Sequence, residues 1–144
     1  MAITSAICNS FKQEILEAEH NFTASTGNTF NLALYDSDAT LSKSTTAYTT
    51  SEELATTGGY TAKGNALTSV TPVLDSDTAV CDFSNSSWTS ASFTANGCLI
   101  FNDSHSSDAS VCAIDFGGDK TVTSGTFTVE FPAAAASTAI IQIA

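Results

Sequence analysis

The sequence predicts a mainly β fold, an antiparallel β-sandwich or flattened barrel of about eight strands with one N-terminal α-helix packed against it. The chain is rich in Ser, Thr and other residues that favour strands and turns over long helices. Alternating apolar segments, separated by clusters of turn residues, recur at the spacing typical of antiparallel sandwiches. The 144 residues fit one domain, residues 1–144, with the helix at about 5–22 and the sandwich at about 29–143.

The helix is predicted by the one clear helical repeat of apolar residues in the chain. The repeat consists of Ile7, Phe11, Ile15, Ala18 and Phe22, at steps of four, four, three and four. Residues at these steps share one face of a helix, so the pattern indicates an amphipathic helix lying on an apolar surface.

Strands are predicted wherever apolar and polar residues alternate between turn clusters. The predicted strands are 29–35, 66–73, 78–83, 88–95, 98–102, 109–116, 126–131 and 138–143. The segment "GGDKTVTSG" at 117–125 is predicted to be a turn. "CLIF" at 98–101 is apolar at every position, which is typical of a central strand covered on both faces.

One predicted strand, "FNLALY" at 30–35, must have its apolar side covered. We expect either the N-terminal helix or a facing sheet to cover Phe30, Leu32 and Leu34. Residues 36–65 are predicted to form a long excursion with short strand pieces, placed by Tyr48, Leu54 and Tyr60 among others.

The charge of the chain excludes two classes of partner. The net charge is −11, and the only basic residues besides two histidines are four lysines. Surfaces that bind nucleic acids or anionic membranes need many Lys and Arg residues, so neither partner is expected. No signal peptide or membrane-spanning segment is recognised, so we expect synthesis in a cytosol and free thiols.

The potential metal ligands form no recognised motif. Cys8, Cys81, Cys98 and Cys112 contain no C-x₂-C pair, and at least two of them fall on the apolar sides of strands, so we expect core thiols rather than a zinc site. The acidic "DSD" segments at 36–38 and 75–77 lack the Gly and Glu of an EF-hand loop. They are expected to form turns, and calcium binding is the less favoured alternative.

No catalytic set is predicted, and we expect neither an enzyme nor a cofactor. Ser104, His105 and Asp108 supply the residue types of a catalytic triad, but their adjacency in one turn does not give triad geometry. His20 is expected near the end of the helix. Trp88 and the three tyrosines, Tyr35, Tyr48 and Tyr60, are expected in the core, with a sugar-binding platform as the alternative.

The order of several short motifs resembles a family of small virion-associated proteins of tailed bacteriophages, many of them marine. The motifs include "FKQEIL…HNF" at 11–22, "FNLALY" at 30–35, "GGYTAKGNAL" at 58–67, "CLIFND" at 98–103, "CAIDFGGDKT" at 112–121, "FTVEFP" at 127–132 and "AIIQIA" at 139–144. The family often has Gly before the His of "HNF"; here that residue is Glu19. The change predicts a helix that continues further.

The resemblance implies a structural protein of the virion, most consistent with a capsid decoration or cement protein. Its expected partners are the major capsid protein or another virion protein, and further copies of the chain, with a trimer as the expected oligomer. The expected protein interface includes Ile3, Ile7, Phe11 and Tyr48, because Ile3 and Ile7 precede the first long strand with little to cover them. The alternatives are a tail, collar or fibre component and a carbohydrate-binding adhesion module.

Overall fold

The computed structural model describes residues 2–144, which form eight strands and one α-helix. The elements are β1 (Ala6–Ile7), α1 (Asn9–Leu16), β2 (Phe30–Tyr35), β3 (Asn65–Ala66), β4 (Ser69–Asp75), β5 (Thr78–Phe83), β6 (Ser86–Asn102), β7 (Ser110–Val129) and β8 (Ile141–Ile143).

The strands form two antiparallel sheets, as the sequence predicts. One sheet has five strands in the order β1-β7-β6-β2-β3, and the other has three in the order β4-β5-β8. All pairings between these strands are antiparallel. The predicted fold class, a mainly β sandwich with one N-terminal helix, is therefore confirmed.

The longest element is a bent hairpin made of β6 and β7. The sequence predicts four separate strands here, but 88–95 and 98–102 are continuous in β6, and the predicted turn at 117–125 lies inside β7. Register shifts interrupt the pairing at four places, and Gly117 and Gly118 have positive φ angles of 76° and 128°. Such irregularities bend a strand without ending it, which explains why the glycines do not form the predicted turn.

The distance between two phenylalanines of β7 shows how sharply the strand bends. Phe116 and Phe127 are eleven positions apart along the strand, which would span about 36 Å if fully extended. Their ring centroids are 6.2 Å apart. The distal half of the hairpin therefore folds back, and its Trp88 and Phe93 join the core beside Tyr60.

Both candidate layers cover the apolar side of β2. Phe22, which follows the helix, stacks on Phe30 with ring centroids 4.2 Å apart, and Phe83 of β5 lies 5.9 Å from Phe30. Further along β2, the hydroxyl of Tyr60 accepts a hydrogen bond from the Leu34 N–H at 3.0 Å. The helical segment and the facing sheet thus both cover β2, although the sequence predicts that one or the other would do so.

The opposite face of the five-stranded sheet carries a second core. Leu99 and Phe101 belong to this core, whereas Cys98 and Ile100 belong to the first, so the prediction that "CLIF" is covered on both faces is confirmed. The covering residues come from the N-terminus and from the 36–64 segment, notably Ile3, Ala39, Leu41 and Tyr48.

The helix is shorter than predicted. It begins at Asn9 and ends at Leu16, because Ala18 adopts a left-handed φ of 62° that no helix continues through. Ile7 lies in β1 and pairs with Cys112 instead of joining the helix. Phe22 is buried as predicted, but the chain reaches it through an irregular turn, so the expectation that the helix continues through Glu19 is wrong.

A single carboxylate fixes the path of the 36–64 segment. Glu53 accepts hydrogen bonds from the hydroxyls of Tyr48 (2.5 Å) and Tyr60 (2.7 Å) and from the N–H of Lys63 (2.6 Å). Burial and this carboxylate together raise the pKa of Tyr48 to about 12. Glu53 therefore joins three parts of a segment that has little regular structure of its own.

We predict that Glu53→Gln lowers the free energy of unfolding by about 1–3 kcal/mol, because hydrogen bonds to a charged acceptor are stronger than neutral ones. Denaturant titration of the variant measures this change. Glu52→Gln is the matched control, since it removes the same charge from an exposed neighbour, and its effect should stay within about 0.5 kcal/mol. Equal effects of the two substitutions would contradict the role of Glu53.

One carboxylate is buried in the smaller sheet, although strand alternation places it opposite the apolar side. Asp82 is 1% exposed, and its oxygens accept hydrogen bonds from the N–H groups of Phe83 (2.8 Å) and Ile140 (3.3 Å). Burial raises the pKa of Asp82 despite these two bonds. The folded state therefore binds a proton at Asp82 more tightly than the unfolded chain does.

The sign of the pH dependence follows from this raised pKa. Protonation of Asp82 favours the folded state, so its contribution to stability is present at low pH and is lost as pH rises through the folded-state pKa. We predict that, as the pH falls from 7 to 4, the free energy of unfolding of the wild type rises relative to that of Asp82→Asn. The rise should be about 1.4 kcal/mol for each tenfold difference between the proton affinities of Asp82 in the folded and unfolded states. A curve for Asp82→Asn that runs parallel to that of the wild type would refute the prediction.

Candidate functional site

A groove formed by the bend of β7 is the candidate binding surface of residues 2–144. Its volume is about 570 Å³, which lies in the range of ligand-binding clefts. Both halves of the bent strand line it, and the chain that follows β7 forms the remaining wall. The lining residues are Ile114, Phe116, Lys120, Phe127, Thr128, Val129, Glu130, Phe131, Pro132 and Ile140.

The remaining wall is held in place by the body of the fold. The Phe131 N–H donates a hydrogen bond to the Asn85 side chain at 2.8 Å, and the Phe131 ring packs edge-on against Phe83 at 5.6 Å. Asp75 accepts a hydrogen bond from the Ala136 N–H at 2.7 Å further along the same segment. The groove therefore lies between two anchored walls.

The chemistry of the groove is that of a binding surface. Seven of its ten lining residues are apolar, and the charged ones, Lys120 and Glu130, are exposed. The lining contains no histidine, cysteine or serine that could act as a general base or nucleophile. The groove suits a largely apolar occupant.

The groove adjoins an unpaired strand edge. Within residues 2–144, β7 pairs on its outer side only with the two residues of β1, at Cys112 and Ala113. Just beyond that pairing, the Asp115 N–H donates to the Ser5 hydroxyl at 2.8 Å. The rest of the outer edge, through Val129, has no strand partner in the described chain. Such an edge can accept an additional strand through its backbone groups.

The sequence-predicted interface residues do not line this groove. Ile3 and Phe11 are 6% and 3% exposed, in the second and first cores respectively, while Ile7 and Tyr48 are half-buried. The reason for expecting an exposed Ile3 is wrong, because Ile3 bridges to Leu41 and packs over Gly97. The sequence signal that marks the groove is the alternation of Phe127, Val129 and Phe131, which places these three apolar residues on one side of the chain.

His20 is not at a helix end but inside a hydrogen-bond network. Its side chain is fully buried, with Nε2 2.8 Å from Glu14 Oε2 and Nδ1 3.1 Å from the Asn102 amide nitrogen. Asn102 Oδ1 accepts from the Ser104 N–H, so the Asn102 amide group must donate to His20. The contacts of His20 with Glu14 and Asn102 tie the helix to the sheet.

Ser104, His105 and Asp108, which have the residue types of a catalytic triad, each contact residues other than one another. Asp108 and Asp103 each lie 2.9 Å from the Lys63 ammonium, and Ser104 Oγ accepts from the Thr29 N–H. His105 instead contacts Ser107 Oγ at 2.9 Å through Nδ1 and Glu19 at 3.4 Å through Nε2. Ser107 is exposed on the same turn, and its own N–H also donates to Nδ1. The contacts order the connection between β6 and β7.

The first of the two "DSD" segments contributes to an acidic cluster. One carboxylate oxygen from each of Asp36, Asp38 and Glu52 lies within 4.8 Å of the others. Asp36 also accepts the Asp38 N–H at 2.9 Å, which is the turn that the sequence predicts. Calcium takes about six to eight oxygen ligands, so three carboxylates supply only part of a coordination shell.

The aromatic residues considered for sugar binding lie mainly in the core. Trp88 is 4% exposed, and Tyr35 and Tyr60 are at most 2% exposed, so these three rings cannot form a surface platform. Tyr48 is half-buried and stacks on Phe101 at 4.8 Å. The core interpretation of these residues is confirmed.

Comparisons with known proteins identify no relative: no family model, no curated protein and no solved structure matches this chain. No helix within residues 2–144 is long and apolar enough to cross a membrane.

All four cysteines are free and buried in the first core. Burial raises the pKa of Cys81 to about 12 and raises the pKa values of Cys8, Cys98 and Cys112 as well. The thiols are therefore neutral in the folded protein, as the core interpretation of the sequence predicts, and a neutral thiol is a poor nucleophile and metal ligand.

We predict that the four thiols of the folded protein react with a disulfide reagent at pH 8 only as fast as the protein opens, because the thiolate is the reactive form. Absorbance of the released chromophore measures the reaction. Denaturant should release four equivalents at once, and an added exposed thiol in Ser84→Cys should react immediately. Rapid labelling of a native cysteine in the folded wild type would contradict the burial.

Proposed function

We propose that this chain is a structural protein of a bacteriophage particle, which decorates the outer face of the capsid shell and stabilises it. The resemblance of its ordered motifs to virion-associated proteins is the first support. The observation that carries the proposal is an apolar groove beside an unpaired strand edge, on a protein with an acidic, arginine-free surface.

The charge favours the outside of the shell over the inside. A net charge of −11 is repelled by packaged DNA, whereas it keeps a subunit that faces solvent soluble. Acidic side chains also attract a basic surface and steer association with it. The expected partner is therefore a shell protein that presents basic residues around its docking segment.

The groove provides a means of docking. An extended segment of the shell protein would pair with the outer edge of β7 through backbone hydrogen bonds and place alternate apolar side chains against Phe116, Phe127 and Val129. A basic residue of that segment would face Glu130. Polar groups would surround an apolar centre, which is the usual arrangement of a protein interface.

Stabilisation follows from linkage. A protein that binds the assembled shell but not its free subunits stabilises the shell by RT ln(1 + [L]/Kd), which is about 2.7 kcal/mol per site at a hundredfold excess over Kd. Binding alone produces this stabilisation, so no chemical step is needed.

The proposal predicts that the purified chain binds expanded shells made from the capsid protein of the same phage, and that it raises their disassembly temperature. Pro132→Lys places a positive charge at an exposed position in the groove, where it repels a basic docking segment, and should weaken shell binding by about tenfold or more. Cosedimentation measures binding, and calorimetry measures the disassembly temperature.

Ala133→Lys is the matched control, because it adds the same charge at the next exposed residue, outside the groove lining. It should bind shells like the wild type. Equal binding by the two variants would remove the groove from the proposal, and failure of the wild type to bind any shell would overturn decoration itself.

Copy number separates this proposal from the tail, collar or fibre alternative, since decoration requires hundreds of copies per particle and the alternative only a few. The carbohydrate-binding alternative is disfavoured by the burial of Trp88 and Tyr60. Images of the virion that place the subunit on the tail would favour the tail assignment.

A further inference from the structure

Several large apolar side chains of the described chain are exposed on the helix and on the smaller sheet. Within residues 2–144, those exposed by more than a third are Leu16, Val70, Val73, Leu74 and Ile143. They all belong to α1 or to the edge strands of the three-stranded sheet. Leu74 and Ile143 lie on the sheet face that carries Ala79, whereas Val70 and Val73 pair with residues of the opposite face, so the patch consists of Leu16, Leu74 and Ile143.

The patch contains a protruding side chain next to an apolar pocket. Leu16, the last residue of α1, is 88% exposed. Its neighbour Ile15 lines an apolar pocket of about 130 Å³ between α1 and the smaller sheet, together with Phe11, Pro72, Ala79, Ile141 and Ile143 among others. A cavity of about 150 Å³ accommodates benzene, so this pocket accommodates a branched aliphatic side chain.

The surrounding strands extend the apolar surface beyond the pocket. Leu74 pairs with Ala79, and Ala79 pairs with Ile143, so the three residues form a row across the sheet. The two outer members of the row are 74% and 57% exposed. Strand β4 has no partner on its outer side within the described chain.

Exposed charges of both signs lie beside the patch, namely Lys12, Glu17 and Asp77. Lys12 is exposed on α1 one turn before Leu16, and residues at this spacing share a side of the helix. Asp77 is exposed in the turn between β4 and β5, next to the row that begins at Leu74. An opposing copy of the helix would therefore bring a cation towards an anion of the sheet.

We propose that the patch is the interface of a two-fold dimer, in which Leu16 of each copy enters the pocket beside α1 of the other. The protruding leucine and the pocket lie next to each other, and a two-fold axis brings each protrusion to the other copy's pocket. Lys12 of each copy then faces Asp77 of the other. The dimer is independent of shell binding and forms without any capsid.

The test is the molar mass of the purified chain across micromolar concentrations, measured by sedimentation equilibrium. The wild type should approach the mass of two chains. Leu16→Asp should raise the dissociation constant by about tenfold or more, whereas Ala62→Asp, an exposed position on the 36–64 segment, should leave it unchanged. Because Leu16 is exposed, circular dichroism should show both variants folded.

A charge exchange tests the orientation of the two copies. Lys12→Glu and Asp77→Lys should each weaken dimerisation, and the double variant should recover part of the loss because the pair is restored with reversed sign. A monomeric wild type, a trimer, or a Leu16→Asp variant that dimerises like the wild type would overturn the proposal. Additive losses in the double variant would overturn the Lys12–Asp77 contact.

Discussion

The requirement to keep the apolar side of β2 out of water determines most of this structure. Phe30, Leu32 and Leu34 are fully buried, and three different parts of the chain contribute to covering them. Phe22 and Phe83 cover one end, and Tyr60 covers the other with a hydrogen bond to the strand itself. The bent hairpin reaches this core because β7 reverses between Phe116 and Phe127.

Much of this fold is predictable because strand alternation is a local property of the sequence. The apolar residues of β2 and the two-sided burial of 98–101 follow directly from their spacing. The continuity of β7 does not, because Gly117 and Gly118 have the composition of a turn and only the partner strand shows that they form a bend. The helix end is similar, since Ala18 is a strong helix former held in a left-handed conformation.

The candidate site was harder to predict from the sequence than the fold, because it depends on contacts that are not local. The groove brings together residues of β7 that are separated by a bend, so no sequence spacing identifies it. The core positions of the cysteines were predictable from alternation, whereas Ile3 was misassigned because its cover, Leu41, comes from a segment with little regular pattern. The partners of His105 were missed because Glu19 is remote from it in sequence.

The bent hairpin also bears on how quickly the protein can reach its native state. The two strands of the hairpin, β6 and β7, are consecutive within residues 86–129, so they can pair before distant parts of the chain fold. By contrast, β2 must find β6 across a long interval, pairing Phe30 with Asn102. Closing large loops slows folding, so the hairpin is expected to form early and the docking of β2 to limit the rate.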